Sequence, residues 1–296
     1  MPYNCVVLVK QVPDTSNITG QAMKEDGTIN RAALPAIFNP DDLNALEMAL
    51  SVKDEHGGHV TVLTMGPLRA VEILRESLFR GADRVILLSD KRFAGSDTLA
   101  TSYALKCAVE KIGDYDLIFC GRQAIDGDTA QVGPQVAEKL NLPQITYAET
   151  IKSLEGDVIV VERTFLRGKE TVKCTIPCLL TVIGSANQPR PPSADRLLAF
   201  KLASIPQEYP ALMDKWPEFE SEESLESYLD QRGLKITYWD GADIDIDYAR
   251  VGLSASPTKV SKVDFIILET DESKDFEASR EGVEALVKEL VSDYTI

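Results

Sequence analysis

The chain has 296 residues, of which 44% are hydrophobic and 26% charged, a composition that is ordinary for a soluble globular protein. Its 47 acidic and 31 basic residues give a formal net charge of −16, which argues against nucleic acid as the main partner because phosphate backbones need a basic footprint. No apolar run approaches the length of a membrane-spanning helix, and residues 1–10 lack the form of a secretory signal. We therefore expect a cytoplasmic protein without stable membrane insertion.

The first two-thirds of the chain alternates short apolar strands with amphipathic helices. In the clearest helix, Pro67 suits the first helical position and Gly81 ends the helix. Its apolar residues repeat at helical spacing: Leu68, Val71, Leu74 and Leu78. The same reading predicts strands at 4–9, 59–64, 84–88 and 116–120, and helices at 40–54, 67–80 and 97–112. This alternation predicts an α/β fold with a doubly wound, mainly parallel sheet and helices on both faces.

From about residue 157 the pattern changes. Apolar segments at 158–163 and 170–175 flank a turn, which predicts a β-hairpin, and 178–183 has the composition of another buried strand. The proline-rich stretch at 187–193 that follows is typical of a loop, because proline cannot sit inside a sheet.

The last third of the chain is predicted to be an extension rather than an independent core. It contains an acidic stretch with a helix near 221–232 and a final amphipathic helix at 281–292. That last helix needs a surface to pack on, either in its own domain or in another subunit. We divide the chain into a nucleotide-binding α/β domain (1–200), an acidic insertion for partner contact (201–250) and a C-terminal arm (251–296).

The stretch 121–133, here called the nucleotide loop, lies between a predicted strand and a predicted helix. The free N–H groups and positive dipole at such a helix start favour a phosphate or pyrophosphate. Asp126 and Asp128 suit ribose hydroxyls, and Thr129 suits phosphate oxygens. Asp128 has an alternative role as the cap of the helix. Gly66, after another predicted strand, allows a ligand to approach the backbone closely, although it equally suits a simple turn.

The sequence offers no acid–base machinery beside this binding site. His56 and His59 are its only histidines, and they lie in a turn-like segment without the carboxylates or thiolates of a metal site. The first strand is not followed by the standard dinucleotide fingerprint. We therefore expect neither catalytic side chains nor a metal, and a bound cofactor that supplies the chemistry.

Several short motifs make the chain resemble the β (small) subunits of electron transfer flavoproteins, over roughly residues 3–200 and 252–260. These motifs are VKQVPDT (9–15), NPDD (39–42), MGP (65–67), GADR (81–84), the nucleotide loop and NQPR (187–190). The resemblance implies a fold like that of the adenine nucleotide α-hydrolases and a larger α subunit as partner. It also implies that the late segment GLSASPTKV (252–260) corresponds to a stretch of the family.

The resemblance further implies a nucleotide on this subunit, which is AMP in simple electron carriers and FAD in the bifurcating branch, where NADH docks beside it. The motifs at 12–15 and 126–134 look like the bifurcating type. Lys10 is then expected to balance phosphate or flavin charge, and Arg122 to lie near flavin or NADH phosphates. The full set of expected cofactor contacts is Leu8, Lys10, Asn39, Asp41, Met65, Gly66, Gly121, Arg122, Gln123, Ala124, Ile125, Asp126, Gly127, Asp128, Thr129, Ala130, Gln131 and Val132.

As a β subunit of the bifurcating type, the chain is expected to take hydride from NADH onto FAD and is not a self-sufficient enzyme. One electron would pass through the α-subunit FAD to a dehydrogenase such as an acyl-CoA dehydrogenase, and the other to ferredoxin or flavodoxin. The alternatives are a non-bifurcating carrier with structural AMP and a non-redox nucleotide-binding module.

Ala186 replaces the large apolar anchor that the family places before its partner-recognition loop (187–190), so docking there is expected to be weaker. The stretch 202–250 is either a partner contact or a surface elaboration.

Overall fold

The computed structural model describes residues 1–14, 35–258 and 274–292. Of the motif residues named above, Thr15, Lys259 and Val260 lie outside these ranges. Within them, no helix is both long and apolar enough to cross a bilayer.

The described chain alternates strands and helices in the order predicted for its first two-thirds. The strands are β1 (Cys5–Val9), β2 (Gln11–Pro13), β3 (Ala36–Phe38), β4 (Val60–Met65), β5 (Arg84–Leu88), β6 (Leu117–Gly121), β7 (Gln144–Glu155), β8 (Val158–Phe165), β9 (Gly168–Thr175), β10 (Cys178–Val182) and β11 (Thr237–Trp239). The helices are α1 (Pro40–His56), α2 (Val71–Arg80), α3 (Thr98–Ile112), α4 (Val132–Lys139), α5 (Ala194–Phe200), α6 (Tyr209–Met213), α7 (Glu222–Gln231), α8 (Gly252–Ala255) and α9 (Arg280–Ser292).

In the part of the chain that the structure describes, a nine-stranded sheet forms the centre, in the order β11-β5-β4-β1-β6-β10-β7-β8-β9. Strands β11 through β7 pair in parallel, whereas β7, β8 and β9 form an antiparallel extension that contains the predicted hairpin. The chain builds outward from β1 through β4 to β5 and then returns to place β6 on the other side of β1. Ligands of open α/β sheets bind beyond the carboxyl ends of the strands at such a switch point.

Alternate residues of the central strands enter two separate cores. Val7 and Phe119 belong to the core that α1 and α2 cover, whereas Leu8 and Ile118 belong to the core that α3 and α4 cover. Because successive strand residues point to opposite faces, near-continuous apolar runs are what a sheet covered on both faces requires. The predicted α/β class, with a mainly parallel sheet between helices, is confirmed.

The acidic segment contributes to the main sheet. Its strand β11 pairs in parallel with β5 and places Trp239 opposite Leu88, while Leu225 and Leu229 of α7 are fully buried. The predicted helix near 221–232 is thus confirmed as α7, and that at 281–292 as α9. None of the residues of α9 is buried in the described structure, and Val283 is 57% exposed. The domain boundaries at 200 and 250 remain predictions.

Two local features differ from the predictions. Strand β7 was not expected, because its register shifts space the buried residues Ile145, Ala148 and Leu154 three and six positions apart instead of two. The helix predicted at 67–80 begins only at Val71. Pro67 instead precedes a 3₁₀ turn (Leu68–Ala70), and Leu68 is 44% exposed rather than part of the buried stripe.

Candidate functional site

Asp42 joins the two strand ends at the switch point. From the first turn of α1, its Oδ2 accepts the Lys10 N–H at 2.8 Å and its Oδ1 accepts the Gly121 N–H at 2.9 Å. Burial raises the pKa of Asp42 to about 7, against the lowering effect of these two hydrogen bonds. The carboxylate thereby fixes the exit of β1, the exit of β6 and the start of α1 relative to one another. The sequence motif contains Asp42, but sequence reasoning assigned it no role.

Asn39 holds the nucleotide loop from the residue before α1. Its Nδ2 donates to the Gln123 carbonyl at 2.8 Å, and its Oδ1 accepts the Ile125 N–H at 3.1 Å. The Asn39 N–H in turn donates to the Lys10 carbonyl at 3.0 Å. Because the side chain is fully buried and its amide binds the loop on both atoms, Asn39 shapes the site through this loop.

Two cations lie at the mouth of the site, each beside a carboxylate. The Lys10 ammonium contacts Asp126 at 2.6 Å, and the Arg122 guanidinium lies 3.8 Å from Asp41. Burial raises the pKa of Asp41, and Arg122 opposes that rise. Lys10 and Arg122 are partly exposed, so each cation is accessible to a phosphate group from solvent.

The helix that follows the nucleotide loop begins without a side-chain cap. Its N-cap residue is Gln131, which makes no capping hydrogen bond and instead accepts a hydrogen bond from the Thr98 hydroxyl at 2.8 Å. The role of Asp128 as helix cap is therefore wrong, because Asp128 lies three residues before Gln131 and accepts a hydrogen bond from Gln123 at 2.8 Å. Because Pro134 has no N–H, the first-turn donors of α4 that are left for an anion or water are those of Val132 and Gly133.

The remaining predicted contacts fall into three groups. Gly121 and Gly66 have structural roles in the backbone. A Cβ on Gly121 would lie 2.5 Å from Asp42 Oδ1. The Gly66 N–H already donates to the Leu88 carbonyl. Leu8 is buried in the core under α3 and α4, so the structure does not bring its side chain to the site, whereas Met65 is only partly buried at the end of β4. The third group consists of further exposed or partly exposed residues of the loop, namely Ala124, Gly127, Asp128, Thr129, Ala130, Gln131 and Val132.

This set of groups fits a nucleotide with phosphates. It combines an uncapped helix start with two reachable cations, and carboxylates that can accept hydrogen bonds from ribose hydroxyls. Gly133 lets the start of α4 lie against the sheet, because a Cβ there would be 2.6 Å from Cys120 Sγ. Thr64, directly before Met65, has a buried hydroxyl without a hydrogen-bond partner in the described structure. A ligand or water at the end of β4 would satisfy that hydroxyl.

The partner-recognition loop packs along α1. Asn187 exchanges hydrogen bonds with Asn44, and the Arg190 guanidinium binds Glu47 at 2.9 Å and Asp54 at 2.8 Å. These contacts raise the pKa of Arg190, with Glu47 as the main cause. Ala186 borders a groove between α1 and β7.

Comparison with known proteins places these features in a family. The model of the electron transfer flavoprotein domain matches residues 26–203. The electron transfer flavoprotein subunit beta of Clostridium acetobutylicum is 42% identical over 259 residues, which are 88% of this chain and 86% of that one. The caffeyl-CoA reductase-Etf complex subunit CarD of Acetobacterium woodii is 41% identical over 256 residues, 86% and 85% of the two chains. The acryloyl-CoA reductase electron transfer subunit gamma of Anaerotignum propionicum is 54% identical over 179 residues, 60% and 66% of the two.

The matched range contains β6, the nucleotide loop and the partner-recognition loop, whereas β1 precedes it. The relatives named as β subunit and as CarD each cover more than four-fifths of the chain. The chain therefore belongs to the electron transfer flavoprotein family, as one of its β subunits.

Proposed function

We propose that this chain is the β subunit of a bifurcating electron transfer flavoprotein, with FAD at the carboxyl edge of β1, β4 and β6 and NADH as electron donor. It works with an α subunit whose FAD passes one electron to a dehydrogenase, while the other electron goes to ferredoxin or flavodoxin. When bound, FAD supplies the redox chemistry, since it takes up hydride and releases electrons singly. The protein supplies position and charge.

The observation that carries the proposal is the uncapped start of α4 at the end of a loop that also presents two partly exposed cations. The N–H groups of its first turn and the helix dipole favour a pyrophosphate. Lys10 and Arg122 are each within reach of a carboxylate that a phosphate can replace, so binding exchanges one charge pair for another. Asp42 and Asn39 hold this loop against the strand ends before any ligand arrives, which lowers the ordering cost of binding.

The names of two relatives support the choice of partner. One is part of a caffeyl-CoA reductase complex and the other an electron transfer subunit of acryloyl-CoA reductase. Both names refer to reductases of CoA esters, so we propose a dehydrogenase of the acyl-CoA type as the partner of this chain. Its proposed docking element is the partner-recognition loop on α1, with residues 201–250 as an additional contact surface.

The test is to purify the complex with its α subunit and to count the FAD and AMP released per heterodimer. We expect two FAD and no AMP. Lys10→Ala removes a charge-assisted contact and leaves Asp126 unpaired, so it should weaken FAD retention by the β subunit about 10- to 150-fold. Lys235→Ala is the control, because Lys235 is also a partly exposed partner of a carboxylate, Glu226, but lies in the acidic segment.

The outcomes separate the candidate functions. One FAD and one AMP per heterodimer would identify a simple electron carrier and contradict bifurcation. A chain that carries no flavin and folds without an α subunit would be a non-redox nucleotide-binding module. Equal FAD retention in Lys10→Ala and Lys235→Ala would show that the proposed phosphate site is misplaced.

A further inference from the structure

Tyr147 has a backbone conformation that tyrosine rarely adopts. Its φ is +58° within β7, in the left-handed region that favours glycine and asparagine. The Cβ atom of an L-residue is crowded in this region, so such residues persist where the surrounding structure or a function requires them. Two further non-glycine residues with positive φ, Asp128 and Ala130, lie in the nucleotide loop itself.

A β-bulge produces this conformation and determines where the ring points. Ile145 pairs with Leu180, but Ala148 pairs with Val182, so β7 has one more residue than β10 over this stretch. The Tyr147 N–H donates to the Thr181 hydroxyl at 3.2 Å. Ile145 and Ala148 are buried, whereas Tyr147 is 38% exposed. Bulges next to functional sites commonly redirect a side chain in this way.

The redirected ring lies beside the nucleotide loop. Val182 is the last residue of β10, and its carbonyl accepts the Arg122 N–H at 2.8 Å. The guanidinium carbon of Arg122 lies 5.7 Å from the centre of the Tyr147 ring, within the range of a cation–π contact. Asp41 lies 3.8 Å from the same guanidinium. Arg122 thus has an aromatic partner on β7 and a carboxylate partner in the first turn of α1.

We infer that Tyr147 is a positioning residue whose ring holds Arg122 toward the pyrophosphate of a dinucleotide at the nucleotide loop. The inference rests on the proposed function and extends the site by two strands, from β6 across β10 to β7. The pyrophosphate belongs either to the resident FAD or to the donor NADH, because both carry the same group. The ring face makes the contact, so phenylalanine can replace tyrosine, whereas a residue without a ring cannot.

Tyr147→Asn tests this inference in the complex with the α subunit, because asparagine tolerates the left-handed backbone and removes the ring. We expect its dissociation constant for FAD or for NADH to rise about 3- to 30-fold, the range of a cation–π contact, while Tyr147→Phe binds both like the wild type. Equilibrium titration of each nucleotide identifies which pyrophosphate is involved. Phe165→Asn is the control, since it removes a ring that is 45% exposed at the end of β8.

A double-mutant cycle shows whether Tyr147 acts through Arg122. In an Arg122→Ala background, Tyr147→Asn should have little further effect, because the ring then has no guanidinium to hold. Unchanged binding of both nucleotides in Tyr147→Asn, equal losses in Tyr147→Asn and Tyr147→Phe, or fully additive effects with Arg122→Ala would each overturn the inference. A wild-type complex that contains AMP in place of the second FAD would instead refute the proposed function, so the two failures are distinguishable.

Discussion

Replacing Gly121 with alanine should destabilise the protein through the backbone of the switch point. The added Cβ would lie 2.5 Å from Asp42 Oδ1 and 2.7 Å from both the carbonyl carbon and the Cβ of Asp41. Two of these contacts involve atoms that cannot rotate away, so β6 must shift relative to α1. Overpacking of this kind costs about 1–3 kcal/mol, and losing the buried Gly121 N–H···Asp42 hydrogen bond costs a further ~1–3 kcal/mol.

We therefore expect Gly121→Ala to lower the free energy of unfolding by about 2–6 kcal/mol, which urea titration followed by tryptophan fluorescence can measure. Gly127→Ala is a matched control in the same loop, because nothing lies within 4 Å of the Cβ it adds. The control should remain within about 0.5 kcal/mol of the wild type. Equal destabilisation by the two variants, or none by either, would refute the close packing of α1 on the end of β6.

Three further predictions concern buried and paired groups. Burial raises the pKa of Asp42 from 3.8 to about 7, so the folded chain binds this proton more tightly than the unfolded chain. As pH rises from about 4 to about 7, the free energy of unfolding of the wild type should therefore fall relative to that of Asp42→Asn, whose side chain does not titrate. Urea titrations at several pH values in this window measure the difference. Glu47→Gln should lower the free energy of unfolding by about 1–3 kcal/mol and speed hydrogen exchange at 187–190, because Glu47 binds Arg190 with both oxygens. The control Glu55→Gln changes a side chain that is 77% exposed and should leave the free energy of unfolding unchanged. In the native protein, alkylation followed by mass spectrometry should label the partly exposed Cys174 before the buried Cys120. Burial raises the pKa of the Cys120 thiol well above its usual range, so little reactive thiolate forms there.

Much of the fold was predictable because its signals are local. The strands around the switch point were placed to within about a residue or two, since each is an apolar run bounded by charged or turn residues. The hairpin β8–β9 and the helices α7 and α9 followed from the same kind of pattern. Strand β7 was missed because its bulges interrupt the two-residue period on which strand prediction depends.

The place of the nucleotide loop in the fold was predictable, but the contacts of its residues were not. A loop between an apolar strand and a helix indicates an anion site whatever the rest of the chain does, and this placed the nucleotide loop correctly between β6 and α4. The capping role of Asp128 was wrong because the helix starts three residues later than assumed, at a residue that makes no cap. Asp42 received no role because its two hydrogen bonds reach partners that lie far apart in the sequence.

By itself, the sequence determined the α/β class, the nucleotide loop and the membership of this chain in its family. The spacing of apolar residues, the positions of glycines and the short motifs all depend only on residues that are close together in the sequence. Only the tertiary structure decided how the carboxyl ends of β1, β6 and β10 meet, which charges face one another there, and that a bulge in β7 turns Tyr147 toward Arg122. These features depend on contacts between segments that are distant in sequence. Their geometry is set by sheet order and register, which no local pattern specifies.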